Sequence, residues 1–461
     1  MIAAMGRATA TGPVTGGRHG WPFGVLVEDI EGEHGYRADE FFLTGEAVRY
    51  LAAPGTDLGE DGTWDVQEAD RAPFTTRLLV YRPLDPARFN GTVIVVWNNV
   101  SAGHELFFDS LGVFDEGFAV VCATVQKVGV DGLPPTPVGL KAWDPERYGS
   151  LTVPSDDYSY DIFTQVARAV GPDRPTAPVD PIGGLEVRRL VAQGASQSAG
   201  RLATYVNAVH PKMRVFDGFL LFIYFGSPTP LEVGEEVVDL TDPNIMDRVR
   251  ATARLRDDTG TPILVVNSEL EGIACYPVRQ PDTDTFRYWE SAGTSHTAAS
   301  STRARNPRIE RDLGPARVMP VEAGMNEVSI TPLYDAARHH LHRWLDGGGP
   351  PRSQPRLEFA GDPPELVRDH FGIAVGGIRL PQVEVPVAAN SAVPLGPDIW
   401  SLLRGSCAPF TAEQLATLYP DRASYLARFE AAARRLERSG AILSRDADAL
   451  IAEAREREFA P

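Results

Sequence analysis

The feature that most narrows the fold is a recurring pattern of short apolar runs separated by stretches with helical periodicity. TVIVVW (residues 92–97), FAVVCATV (118–125), FDGFLLFIYF (216–225) and PILVV (262–266) show little polar alternation, so each reads as a strand covered on both faces. Strands of that kind belong to parallel sheets whose crossover helices lie on both sides. One such helix is expected over 160–170, where Ile162, Phe163, Val166 and Val170 recur at helical spacing. A further strand, VRRLVA (187–192), leads into a helix over 197–209. TRLLVY (76–81) fits an antiparallel strand entering the sheet, and 286–289 a short aromatic one. The expected class is α/β, with a mostly parallel central sheet and helices on both faces.

Composition supports a large folded core. Of 461 residues 43% are hydrophobic and 23% charged, which excludes a disordered chain, a coiled coil or a collagen-like repeat. The net charge of −18, with no Lys/Arg run interleaved with aromatics, argues against nucleic acid as a partner. Cys122, Cys275 and Cys407 are an odd set without C-x-x-C spacing, so neither a disulfide framework nor a cysteine-built zinc site is expected. The first twenty residues hold no apolar stretch long enough for a signal-peptide core, and no run of eighteen apolar residues occurs. A cytoplasmic protein without a membrane span is therefore expected.

No internal repeat is present. The chain reads as a single domain over 1–461 with its core at roughly residues 70–346. Two long connections, 128–157 and 226–258, interrupt the strand–helix rhythm and are lid candidates, because loops of that length in compact domains are usually functional. Beyond a Gly/Pro hinge at 346–351, a C-terminal extension (352–461) should pack on the core. It is irregular over 363–394, then helical over 411–439, broken at Pro420, and over 444–455.

The chemistry centres on Gly194-Ala-Ser196-Gln-Ser198, where a strand ends and a helix begins. A serine on such a turn stands clear of the sheet at a helix N-terminus, and small residues two before and two after it let strand and helix approach. G-x-S recurs at Ser295, but without that context. A nucleophilic serine needs a base and the base an orienting acid, in the chain order Ser, acid, His. His296 lies in the small-residue loop Ser291-Ala-Gly-Thr-Ser-His296 after the last strand, where a base must be free to reach the turn. His210 lies too far along the helix from the serine turn. His339, His340 and His342 cluster near a helix end without an HExxH spacing, which suits surface histidines better than metal ligands. Asn267-Ser268-Glu269-Leu-Glu271 follows the PILVV strand; the acid expected three positions after the small strand-end residue is Glu271, with Glu269 the alternative. Backbone N–H groups for an oxyanion should come from Gln197 and from Asn99 or Val100, in the turn after the TVIVVW strand.

These pieces resemble a bacterial α/β-hydrolase domain family of serine hydrolases. The resemblance is carried by Trp97-Asn-Asn-Val-Ser101, Tyr148-Gly-Ser-Leu151, Asp157-Tyr-Ser-Tyr-Asp-Ile-Phe-Thr-Gln165, Gly194-Ala-Ser-Gln-Ser-Ala199 and Thr204-Tyr-Val-Asn-Ala-Val-His-Pro211. It continues through Phe216-Asp-Gly-Phe219, Trp289-Glu-Ser-Ala-Gly-Thr-Ser-His296, Gly376-Gly-Ile-Arg-Leu-Pro381 and Leu418-Tyr-Pro420, in family order over nearly the whole chain. It implies an α/β-hydrolase fold, with the nucleophile at Ser196 and the base at His296. Two departures stand out: the family's GESQS is GASQS here, and its SETD is SELE, which leaves a glutamate where an aspartate is common.

The expected function is cofactor-independent, metal-free hydrolysis of a small-molecule carboxylic ester or lactone. A largely apolar pocket, to which Tyr224 and Phe225 would contribute, suits such a substrate. Trp143, Tyr148 and Tyr158 are aromatic lid candidates. An acyltransferase would use the same residues, and a non-catalytic binding protein could keep the same fold. A nucleotide-binding protein is poorly supported, since neither GxxxxGK[ST] nor a strand-borne G-x-G-x-x-G occurs. The residue pattern leaves the oligomeric state open.

Overall fold

The computed structural model describes residues 7–106, 110–134, 137–233 and 252–457. It divides into two compact units, Met1–Ile263 with Pro307–Val318, and Leu264–Asn306 with Met319–Pro461.

The first unit is built on a mixed sheet of β1 (Thr9–Thr11), β2 (Tyr36–Ala52), β3 (Val66–Pro83), β4 (Thr92–Trp97), β5 (Ala119–Ala123), β6 (Arg189–Ala195) and β7 (Gly218–Phe222), in the order β1-β2-β3-β5-β4-β6-β7. β4 runs parallel to β5 and β6, and β6 parallel to β7. β3 joins this inner set antiparallel to β5. The apolar runs behave as their composition requires: β5 and β7 are buried along their whole length. Helix α1 (Ser159–Val170) covers β4, placing the Tyr160 and Phe163 rings 5.7 and 4.7 Å from Trp97.

The sheet begins well before residue 70. β2 and β3 form a long antiparallel hairpin, paired from Tyr36↔Pro83 to Ala52↔Val66, of which only 76–81 was legible in sequence. The first half of β3 is mostly exposed and polar, so it carries no apolar run to betray a strand. At the hairpin's buried end Glu40 accepts from Arg147 Nε at 2.6 Å and from the Tyr148 hydroxyl at 2.8 Å, and it also meets Arg77. Arg77 Nη1 donates to Glu105 at 2.9 Å, so these buried charges are paired.

The connection at 128–157 is itself folded, with short helices at Lys127–Asp131, Leu140–Trp143 and Pro145–Tyr148. Its aromatics are packing residues: Tyr148 is fully buried, and Trp143 stacks on His19 with ring centroids 3.9 Å apart. Tyr158 donates to Asp70 at 2.9 Å. In the connection at 226–258, Leu231 is buried and Val233 N–H donates to Asp157 at 2.7 Å, while residues 234–251 lie outside the described residues.

In the second unit β8 (Ile263–Asn267) and β9 (Phe286–Glu290) are sheet neighbours, and Ser291 N–H donates to Asn267 O at 3.0 Å. The C-terminal extension contributes a short strand pair, Ala388–Ser391 with Ser406–Pro409, and helices at Ala412–Leu418, Arg422–Ser439 and Ser444–Glu456. Tyr419, Tyr425, Phe429, Ala432 and Ala454 form a core beneath them. Among the described residues no helix is long and apolar enough to cross a membrane.

Candidate active site

β6 ends at Ala195 and helix α2 (Gln197–Thr204) starts at Gln197, so Ser196 makes the turn alone, at φ 57° and ψ −123°. A non-glycine residue held there stores strain of about 1–3 kcal/mol, and the surroundings must over-determine it. They do. Ser196 N–H donates to Phe222 O of neighbouring β7 at 3.0 Å, and Ser196 O accepts from Ala199 N–H at 2.9 Å. Ser198, standing where the second glycine is usual, donates its hydroxyl to Ala195 O at 3.0 Å and accepts Ala195 N–H at 2.9 Å. Past β7, Ile223 is also left-handed at φ 45°; Tyr224 is buried and Phe225 half-buried.

Gly194 is required by close approach, since a Cβ there would sit 2.6 Å from Ser198 O and 2.9 Å from its carbonyl carbon. Gly194→Ala must push strand and helix apart. We expect a stability loss of about 2 kcal/mol in urea titration.

The turn after β4 lies against this elbow. Asn99 Nδ2 donates to Ala195 O at 3.0 Å, and the Asn99 Oδ1 accepts Ser101 N–H at 2.8 Å. Val100 N–H donates to the Gln197 side-chain oxygen at 3.4 Å. Gln197, Asn99 and Val100 are thus gathered beside Ser196 within the first unit.

In the second unit His296 Nδ1–H donates to Glu271 Oε1 at 2.7 Å. Glu271 is fully buried and the His296 side chain is 10% exposed. Helix α3 (Glu269–Ala274) fixes the carboxylate: Ser268 caps it, and Glu271 Oε2 accepts both the Ser268 N–H, at 3.2 Å, and its hydroxyl. The bond at Nδ1 leaves Nε2 as the basic nitrogen of a neutral imidazole.

Glu269 is engaged elsewhere. It accepts from Arg368 Nη2 at 2.6 Å, Gly293 N–H at 2.7 Å and Ala392 N–H at 3.1 Å, so it anchors the backbone of the loop that carries His296. Gly376-Gly-Ile378 braces the same loop, since Ala292 N–H donates to Ile378 O at 3.0 Å.

The other histidines have different roles. His210 meets Thr261 Oγ1 at 2.8 Å, and burial pushes its pKa down to about 4. His339, His340 and His342, expected at the surface, are half-buried near the end of their helix (Thr331–Arg343), and His340 Nε2–H donates to Gly440 O at 2.8 Å. Among the described residues no group of three or more His, Cys, Asp or Glu side chains could hold a metal ion. A cavity of about 150 Å³ in the second unit is lined by Val385, Val387, Phe429 and Leu450, and by neither His296, Glu271 nor Glu269.

A family model described as alpha/beta hydrolase domain matches residues 10–452. The chain belongs to that family. This α/β hydrolase has no match among curated proteins. Solved structures similar to it include the esterase Est22, at 12% identity and TM-score 0.30 over 63% of this chain and 82% of that one. Another is XC6422 from Xanthomonas campestris, described as a serine hydrolase without a lid, at 11% identity and TM-score 0.27 over 59% and 96%. A prolyl endopeptidase matches at 14% identity and TM-score 0.28, over 56% of this hydrolase but 35% of its own length.

Sequence reasoning overlooked three buried polar residues behind the elbow of this hydrolase, Gln126, Asp156 and Arg201. Their signal was weak: Gln126 directly follows the β5 run, and Asp156 opens the Asp-Asp-Tyr-Ser-Tyr segment.

Proposed function

We propose that this α/β hydrolase is a serine esterase that cleaves a small carboxylic ester or lactone through an acyl-enzyme on Ser196. The observation that carries the reading is the Ser196 turn, a serine held in left-handed backbone between a parallel strand and a helix. Ser196 Oγ attacks the ester carbonyl and gives its proton to His296 Nε2. Glu271 keeps the imidazole in the useful tautomer and stabilises the imidazolium without taking its proton. The tetrahedral oxyanion takes hydrogen bonds from backbone N–H groups, one of them that of Gln197. The alcohol leaves with the proton from His296. Water, deprotonated by the same nitrogen, then releases the acid and restores Ser196. The buried Cys122 and Cys275, neither of them in a disulfide, suit a reducing compartment, and we place the protein in the cytoplasm.

A fluorophosphonate probe tests this directly. It should label one residue, located by peptide mass spectrometry at Ser196, and an active-site label elsewhere, or none, would overturn the assignment. Adding a small alcohol during turnover separates hydrolysis from acyl transfer.

A further inference from the structure

Gln197 carries more than a backbone N–H. Its side chain ends a chain of buried polar contacts whose donor and acceptor roles are all determined. Asp156 Oδ1 accepts Lys127 N–H at 2.7 Å, while Oδ2 accepts Arg201 Nη2 at 2.9 Å and Gln126 Nε2 at 3.0 Å. A carboxylate only accepts and an indole N–H only donates. Gln126 must therefore turn its NH2 to Asp156 and its oxygen to Trp97 Nε1, 3.0 Å away. The same oxygen receives Gln197 Nε2 at 3.2 Å, which leaves Gln197 Oε1 facing the Val100 N–H. The amide orientation of Gln197 is thus dictated from the ion pair outward. Gln126, Asp156 and Arg201 are 2%, 9% and 3% exposed, so water does not compete along the chain. The contacts tie together segments at the ends of β4, β5 and β6, and Arg201 lies on the elbow's own helix.

Packing alone would be served as well by apolar side chains, since a buried ion pair adds little net stability over a hydrophobic replacement. An amide of fixed orientation does something apolar contacts cannot. It holds the loop at 98–101 in one register against Ser196. It also occupies the Val100 N–H, whereas the backbone N–H groups of Asn99 and Gln197 have no protein acceptor among the described residues.

We propose that the Gln197 side chain, aligned by Gln126, Asp156 and Arg201, is the positioning residue of the oxyanion site, and that it leaves Asn99 rather than Val100 as the second backbone donor. This rests on the serine-esterase reading above. In the full-length protein, Gln197→Met removes both amide contacts at a half-buried position. It should lower kcat for a p-nitrophenyl ester by about 10²-fold, the scale of losing one oxyanion donor, with KM within about twofold. Gln126→Met should act in the same direction with Gln197 intact. The double variant should be no worse than Gln197→Met within about twofold, because one chain is broken twice.

A purely structural role would lower the thermal midpoint while the folded fraction kept the wild-type kcat, and would overturn the proposal. So would additive losses in the double variant. The fluorophosphonate probe separates the two levels of argument. If the wild-type protein is not labelled at Ser196, the esterase reading fails and takes this inference with it. If it is labelled and Gln197→Met turns over at the wild-type rate, only the inference falls.

Discussion

Ser196→Ala is expected to lower kcat for a chromogenic ester about 10⁶-fold, with the urea midpoint nearly unchanged. Alanine removes the attacking oxygen but keeps a Cβ in the same left-handed backbone, so the strain at φ 57° is neither relieved nor increased. The hydrogen bonds that hold the turn use the backbone of residue 196 and the hydroxyl of Ser198, and these survive the substitution. His296→Ala should cost about as much, and the double variant no more than either alone, because in the proposed mechanism nucleophile and base act as one unit. Steady-state kinetics on purified protein measures all three. A loss of tenfold or less in Ser196→Ala would remove the acyl-enzyme from the mechanism.

Glu271→Gln should lower kcat by about 10⁴-fold with little change in KM. The amide keeps the shape of the carboxylate but loses the charge that, in the proposed mechanism, stabilises the imidazolium. An NH2 turned toward His296 would also select the tautomer with its proton on Nε2, the nitrogen that must act as base. Burial sharpens the effect, since Glu271 is fully enclosed and solvent cannot supply a substitute charge. Glu269→Gln is the informative counterpart. It should act mainly on stability, because Glu269 binds Arg368 and two loop N–H groups instead of the imidazole. Comparing kcat and urea midpoints for the two variants distinguishes the roles, and a reversal of the two patterns would exchange the acid assignment.

The choice between these glutamates shows where sequence reasoning stops. Two residues apart on a helix, their side chains point about 160° apart, toward nearly opposite sides. The motif Ser268-Glu-Leu-Glu271 contains both, and spacing marked Glu271 while leaving Glu269 open. What separates them is Arg368 and the Gly293 and Ala392 backbone, which lie 24 to 123 residues away in the chain. No local pattern encodes that meeting.

The β2–β3 hairpin was hidden for a different reason. Its first half is too polar to read as a strand, and its register depends on a partner 14 or more residues distant. The aromatics of the 128–157 connection look like lid material in sequence, yet Tyr148 is spent on the buried Glu40–Arg77–Arg147 cluster.

Local chemistry by itself determined the inner strands, which need apolar side chains on both faces, and the serine turn, which needs Gly194 and a small residue at 198 beside a strand end. Tertiary structure alone decided which carboxylate holds the imidazole, which glutamine amide turns toward Val100, and which buried charges are paired. The physical reason is range. Backbone conformation and burial follow from a residue and its near neighbours, whereas a hydrogen bond between side chains exists only once the fold has brought a donor and an acceptor to within about 3 Å of each other.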